Sequence, residues 1–184
     1  MLVSHAAGDH GHLIGGRARY AIAVALRSVP RFVLAKLPEI EVVNTGEIAY
    51  RIDQKTGRVD EDQPILTGET MFRGRAALCS SSTIPYFGFK MRAFPYVDRI
   101  PGRFQLRCST ASATKTLMNL PAVFRGEYRS PRLHDFLCAA VSVRMERPVA
   151  VQIGGDLADG LRDELALGLA DESVRLLAGA ATRT

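Results

Sequence analysis

Aromatic residues make up only 7% of this 184-residue chain, and lysine occurs only as Lys36, Lys55, Lys90 and Lys115. The few aromatics do not interleave with arginine as a base-stacking platform would, which argues against a nucleic-acid partner. Cysteine is equally sparse. Cys79, Cys108 and Cys138 are an odd, widely spaced set with no Cys-x-x-Cys pair. They read as free thiols on apolar strand faces in a reducing cytoplasm, not as a disulfide framework or a zinc ribbon. His5, His10 and His12 lie close together near the terminus, and no metal site is read there. Long hydrophobic runs are missing too. The longest, residues 20–26, is far short of the roughly 20 residues a spanning helix needs. The opening Met1-Leu2-Val3-Ser4-His5 has no basic segment before an apolar core, so it is not a secretory signal. There is no Gly-x-x-x-x-Gly-Lys-Ser/Thr loop, no Gly-x-Gly-x-x-Gly after a strand and no Gly-x-Ser-x-Gly elbow. The chain therefore shows no nucleotide-binding loop. His134 and Asp135 are adjacent, but nothing fixes a serine beside them as a triad.

What is present is ordinary for a soluble globular domain: 47% hydrophobic and 23% charged residues, without internal repeats. A chain of this length buries about two-thirds of its unfolded surface as one domain. The net charge is +5, carried mostly by arginine. That excess reflects either genome composition or an anionic partner such as phosphate or a membrane surface.

Residues 1–14 read as a frayed terminus and 179–184 as a tail. Helix is expected in two stretches: one made of 17–29, which Pro30 ends, and the short 32–37 that follows, and a second over 111–120 before Pro121. The rest has strand periodicity. Strands are expected over 39–43 and 47–53, the latter with Ile48, Tyr50 and Ile52 on one face. Asp53-Gln54-Lys55-Thr56-Gly57 is a hairpin turn, and Asp60-Glu61-Asp62 reads as an acidic loop closed by Pro64. A single strand is expected over 70–80, followed by a polar loop. Alternation also marks 89–94, 104–108 and 137–146, with Leu137, Ala139, Val141, Val143 and Met145 sharing a face. Residues 149–153 form a further strand that Gly154-Gly155 ends. The stretch 161–177 fits helix by composition and strand by alternation; Gly168 favours strand, since glycine costs about 1 kcal/mol in a helix interior. The sum is a mainly β protein, an antiparallel β-sandwich with two short helical segments.

Motif order is the strongest functional signal. Tyr86-Phe87-Gly88 comes first, then Arg92-Ala93-Phe94-Pro95, then Pro101-Gly102-Arg103-Phe104. Later, an apolar strand leads into Gln152-Ile153-Gly154-Gly155-Asp156. Over residues 15–178 this series resembles the C-terminal domain of the diacylglycerol kinase and sphingosine kinase-like lipid kinases. The resemblance implies a β-sandwich, and phosphoryl transfer from Mg-ATP to the hydroxyl of a diacylglycerol-like or sphingoid lipid. It implies Tyr86, Phe87 and Gly88 at the substrate, with Pro95, Gly102, Gln152 and Gly155 as further motif matches, and Asp156 as the base that takes the lipid proton; the alternative for Gly154-Gly155-Asp156 is an ordinary hairpin turn, since glycine and aspartate are common turn residues. The chain departs from the family at two places. Gly154-Gly155-Asp156 stands where the family has Asp-Gly-Glu, and Pro101-Gly102 where it has Asp-Gly.

The family's ATP-binding domain, with its Gly-Gly-Asp-Gly-Thr signature, has no counterpart here. The expectation is the substrate-side half of a lipid kinase, inactive alone, cytoplasmic and peripheral at the inner membrane face. The alternative is a non-catalytic module of the same fold that binds lipid or protein.

Overall fold

A computed structural model describes residues 37–87 and 90–171. The expected frayed terminus, the expected helix over 17–29 and all but Leu37 of that over 32–37, the three clustered histidines, Gly88, residues 172–177 and the expected tail lie outside the described residues.

Among the described residues, nine strands form two antiparallel sheets. They are β1 (Glu39–Asn44), β2 (Ala49–Ile52), β3 (Val59–Ile65), β4 (Thr70–Arg75), β5 (Leu78–Ser82), β6 (Phe104–Ser109), β7 (Leu133–Cys138), β8 (Ala140–Ile153) and β9 (Asp156–Gly168). One sheet has the order β4-β1-β8-β9 and the other β3-β2-β7-β6-β5. Two short helices, α1 (Ala113–Met118) and α2 (Leu120–Arg125), lie in the β6–β7 connection. The chain is thus a mainly β, antiparallel sandwich, as the strand periodicity predicts. Its core joins both sheets: Ile40, Val42, Phe72, Val141 and Val143 pack with Phe104, Leu106, Cys108, Phe136 and Cys138. No described helix is long and apolar enough to cross a membrane.

Several elements differ from the sequence reading, mostly for one reason: strands adjacent in sequence belong to different sheets. The expected strand over 70–80 is two strands. It leaves the four-stranded sheet after Arg75, and Ala77 then donates to Ser109 at 2.7 Å in the other sheet. The expected strand over 137–146 also divides. Leu137 and Cys138 end β7 in one sheet, and Val141, Val143 and Met145 belong to β8 in the other. A run of alternating residues cannot reveal such a corner, because the period continues through it. The acidic Asp60-Glu61-Asp62 is not a loop but the middle of β3, a sheet edge. Exposed charges and Pro64 suit that edge, because they discourage further strand pairing. In β2 the buried residues are Ala49 and Ile52, whereas Ile48 is exposed, because a register shift against β3 between Ala49 and Arg51 breaks the alternation.

Residues 90–94 do not form a strand. Lys90 adopts a φ of 61° and Met91 only bridges Phe87, so the chain turns there. Pro121 does not end a helix but sits in the first turn of α2, where its missing N–H is not needed. The stretch from 161 is strand as far as Gly168, as that glycine favours.

The β5–β6 connection folds back over the outer face of the five-stranded sheet. Phe94, Tyr96 and Val97 are buried there, and Tyr96 packs with Ile52 and Leu137. Every residue of β6 is consequently buried, on both faces.

Candidate functional site

Burial of both faces of β6 places polar side chains under the covering loop. Arg107 lies opposite Asp135 of β7, and Asp135 is fully buried. Arg107 donates to this carboxylate through Nε at 2.6 Å and Nη2 at 3.0 Å, and Gln105 and Gln54 each donate through Nε2 at 2.8 Å. The same side chains hold the loop: Arg107 Nη1 donates to the Ala93 carbonyl at 2.6 Å, and Gln105 Oε1 accepts from the Tyr96 N–H at 2.8 Å. Four donors, two of them from one bidentate guanidinium, saturate the carboxylate, so it has little capacity left for a substrate. This cluster is a latch that fixes the loop to the sheet. The sequence hints at it only through Gln105, Arg107 and Ser109 alternating with apolar residues in β6.

His134 is not poised for a triad. Its ring lies 5.0 Å from the Phe72 ring, half-buried. Burial, then the charge of Arg51, push its pKa below the ordinary value, with Asp135 acting in the opposite sense. Arg51 itself stacks 5.6 Å from the centre of the Phe136 ring. It also lines an open hollow of about 450 Å³ with Asp60, Gln63, Ile65, Glu69 and Thr70. A second hollow of about 460 Å³ lies along the β2–β3 hairpin between Asp53 and Asp62. Neither hollow is an apolar groove for an acyl chain. No group of three or more metal-ligating side chains occurs among the described residues.

The residues singled out from sequence divide between two places. Tyr86 and Phe87 are exposed in the β5–β6 connection, where the Phe87 N–H donates to the Met91 carbonyl at 2.7 Å. Pro95, between buried Phe94 and Tyr96, belongs to the same connection, as does Gly102, which turns the chain into β6 with a φ of 68°. Gln152, Gly155 and Asp156 instead come together in the turn between β8 and β9, in the other sheet. Asp156 pairs with Ile153 across a two-residue loop, with φ of 62° at Gly154 and 106° at Gly155. Positive φ at both loop residues is the geometry of a hairpin turn whose twist suits antiparallel strands. Gln152 Nε2 donates to the Gly155 carbonyl at 2.5 Å, and Asp156 is exposed.

The turn was legible in the sequence; that its two strands extend beyond the rest of the sheet was not. β8 pairs with β1 only as far as Met145, which lies opposite Ile40. Beyond that point, among the described residues, β8 pairs with β9 alone, and β9 is the sheet edge. The result is a two-stranded arm. Ile153, Leu157 and Leu161 on it are 70%, 74% and 62% exposed. The available signal was alternation in 141–145 and 149–153, then, after the two glycines, again in 165–167. No protein-family model and no curated protein matches this chain.

Proposed function

We propose that this chain is a non-catalytic binding module that takes up an extended segment of a partner protein along β9. The carrying observation is the arm, an edge strand of 13 residues with exposed leucines. A two-stranded ribbon is marginal alone in water, and an open edge offers unpaired N–H and C=O groups to a further strand. Main-chain pairing supplies the affinity in such complexes, and alternate side chains supply the choice of partner. Leu157 and Leu161 lie opposite Gln152 and Ala150, with a bulge in β9 between them at Gly160, and both are exposed. Asp156, Asp159, Asp163 and Glu164 outweigh Arg162 on β9. The segment that fits is therefore extended and apolar, with interspersed lysine or arginine. Calorimetry with a ten-residue peptide of alternating valine and lysine, against its valine–glutamate counterpart, tests this. The basic peptide should bind the full chain, and replacing 149–161 by a short turn should abolish binding without unfolding the sandwich. Equal binding of the acidic peptide, or binding that survives removal of the arm, overturns the reading.

A second reading, the substrate-side half of a lipid kinase, draws support from the sandwich fold and from Asp156 following an apolar strand. In it a separate half would hold Mg-ATP, and Asp156 would accept the proton of the lipid hydroxyl. Joined to an ATP-binding half, the chain should then phosphorylate a lipid, and Asp156→Asn should lower the rate about 10²–10⁴-fold. Full activity with asparagine there rejects Asp156 as base. This reading also places the chain at an anionic inner membrane face. Binding to acidic vesicles that weakens with salt supports that placement, and equal binding to neutral vesicles counts against it.

A further inference from the structure

The five-stranded sheet ends in β5, and Cys79 of β5 lies directly opposite Cys108 of β6. Their sulfurs are 3.8 Å apart, with the Cys108 thiol donating to the Cys79 sulfur. Cys79 is exposed at the sheet edge, whereas Cys108 is fully buried. Directly opposed residues of antiparallel strands have Cα atoms about 4.5–5.5 Å apart. That spacing lies inside the range of about 4.4–6.8 Å that a disulfide bridges. The third cysteine has no cysteine directly opposite it: Cys138 lies opposite Phe104, four residues along β6 from Cys108.

We propose that Cys79 and Cys108 are a thiol modification site, oxidised by hydroperoxides to a cross-strand disulfide with Cys79 as the attacking group and Cys108 as the resolving one. The roles follow from access and from charge. Only Cys79 meets solvent, and the hydrogen bond it accepts from Cys108 favours its thiolate and lowers its pKa. The Cys108 thiol is raised by that hydrogen bond and by burial, so it stays protonated. Cys138 is raised by burial to about 12 and is inert. In the first step the Cys79 thiolate attacks one oxygen of hydrogen peroxide. The O–O bond breaks, Cys79 becomes a sulfenic acid, and the second oxygen leaves as hydroxide, which takes a proton to become water. In the second step the Cys108 sulfur attacks the Cys79 sulfur. The S–O bond breaks, the departing hydroxide takes the Cys108 proton, and water leaves as the S–S bond forms. The two thiols together lose two electrons, and the peroxide gains them. The sulfurs must close to about 2.05 Å, which an edge-strand side chain achieves by turning about χ1.

The test uses the full reduced chain, one equivalent of hydrogen peroxide, and peptide mapping by mass spectrometry after alkylation. The expected product has lost two hydrogens, links the Cys79 and Cys108 peptides within one chain, and leaves Cys138 alkylated. Cys108→Ala should stop at a Cys79 sulfenic acid that dimedone traps. Cys79→Ser, at an exposed position, should abolish the loss of hydrogens even if the core variant fails to fold. Three results overturn the proposal: Cys138 oxidised ahead of Cys79, wild-type Cys79 linking two chains on a non-reducing gel, or Cys79 over-oxidised while Cys108 remains reduced.

Discussion

Asp135 and Arg107 show how a residue pair can be costly and still fix a structure. A buried carboxylate is tolerated here because four donors surround it, and its loss would leave the guanidinium unpaired beneath the loop. Removing one member of a buried pair costs about 3–5 kcal/mol, whereas replacing both by apolar residues is often neutral. Asp135→Ala should therefore lower the unfolding free energy in urea by about that amount. The double variant Asp135→Leu/Arg107→Met should recover most of the loss. His134 gives a pH dependence of known sign. Its pKa in the fold lies below the ordinary value of 6.5, because burial and Arg51 disfavour the imidazolium. Its contribution is therefore fully present above pH 6.5 and is lost as pH falls through the lowered value. Urea unfolding between pH 7 and pH 5 should show stability falling with pH, less steeply in His134→Gln. The sequence reads His134 as an ordinary loop or packing residue, and it packs on Phe72; the buried partners of Asp135 come from β6 and the β2–β3 turn and were not legible locally.

At the scale of elements, glycine separates local from global effects. Gly154 and Gly155 have positive φ, and a Cβ on either meets nothing within 4 Å. Alanine there is strained by the backbone alone, at about 1–2 kcal/mol per residue. Gly154→Ala should therefore speed amide exchange in 149–162 and leave unfolding of the sandwich unchanged. Gly46 is the opposite case. A Cβ there would lie 2.7 Å from the Ala140 backbone nitrogen, where the β1–β2 corner meets the start of β8. Gly46→Ala should lower global stability by about 1–3 kcal/mol in urea titration, the usual cost of overpacking. The turn glycines were legible from composition. The role of Gly46 was not, because it depends on a strand almost a hundred residues away.

The whole molecule is built on such distant pairings. β1 lies against β8, with Val42 opposite Val143, and β2 lies against β7, with Tyr50 opposite Leu137. The ends of the described chain must meet before either sheet is complete, and loop-closure entropy opposes that until the contacts form. Refolding in stopped-flow fluorescence should accordingly take milliseconds to seconds, as in other all-β sandwiches, and not microseconds. The same long-range assembly leaves the sheet edges unequal. Both β3 and β9 carry charges, but β3 also has Pro64, whereas β9 carries the exposed leucines on which the proposed partner binding rests.

The sequence alone determined the fold class and its local punctuation. The strand periods of β1 and β6 are local properties, as is the hairpin chemistry of Asp53-Gln54-Lys55-Thr56-Gly57. Asp53 Oδ1 accepts from the Lys55 N–H at 2.8 Å within that hairpin, a bond between near neighbours that any fold permits. The strand character of the stretch ending at Gly168 and the turn at Gly154-Gly155 were fixed in the same way. Only the tertiary structure decided which sheet each strand joined. It split 70–80 and 137–146 at sandwich corners, set the phase of β2, and turned an acidic stretch into an edge. It also created the two features with chemical consequence, the Asp135 latch and the opposed Cys79 and Cys108. The reason is that backbone pairing contributes similar free energy with many partners. The choice among them is made by how the faces of distant strands fit together, and no local window of residues contains that information.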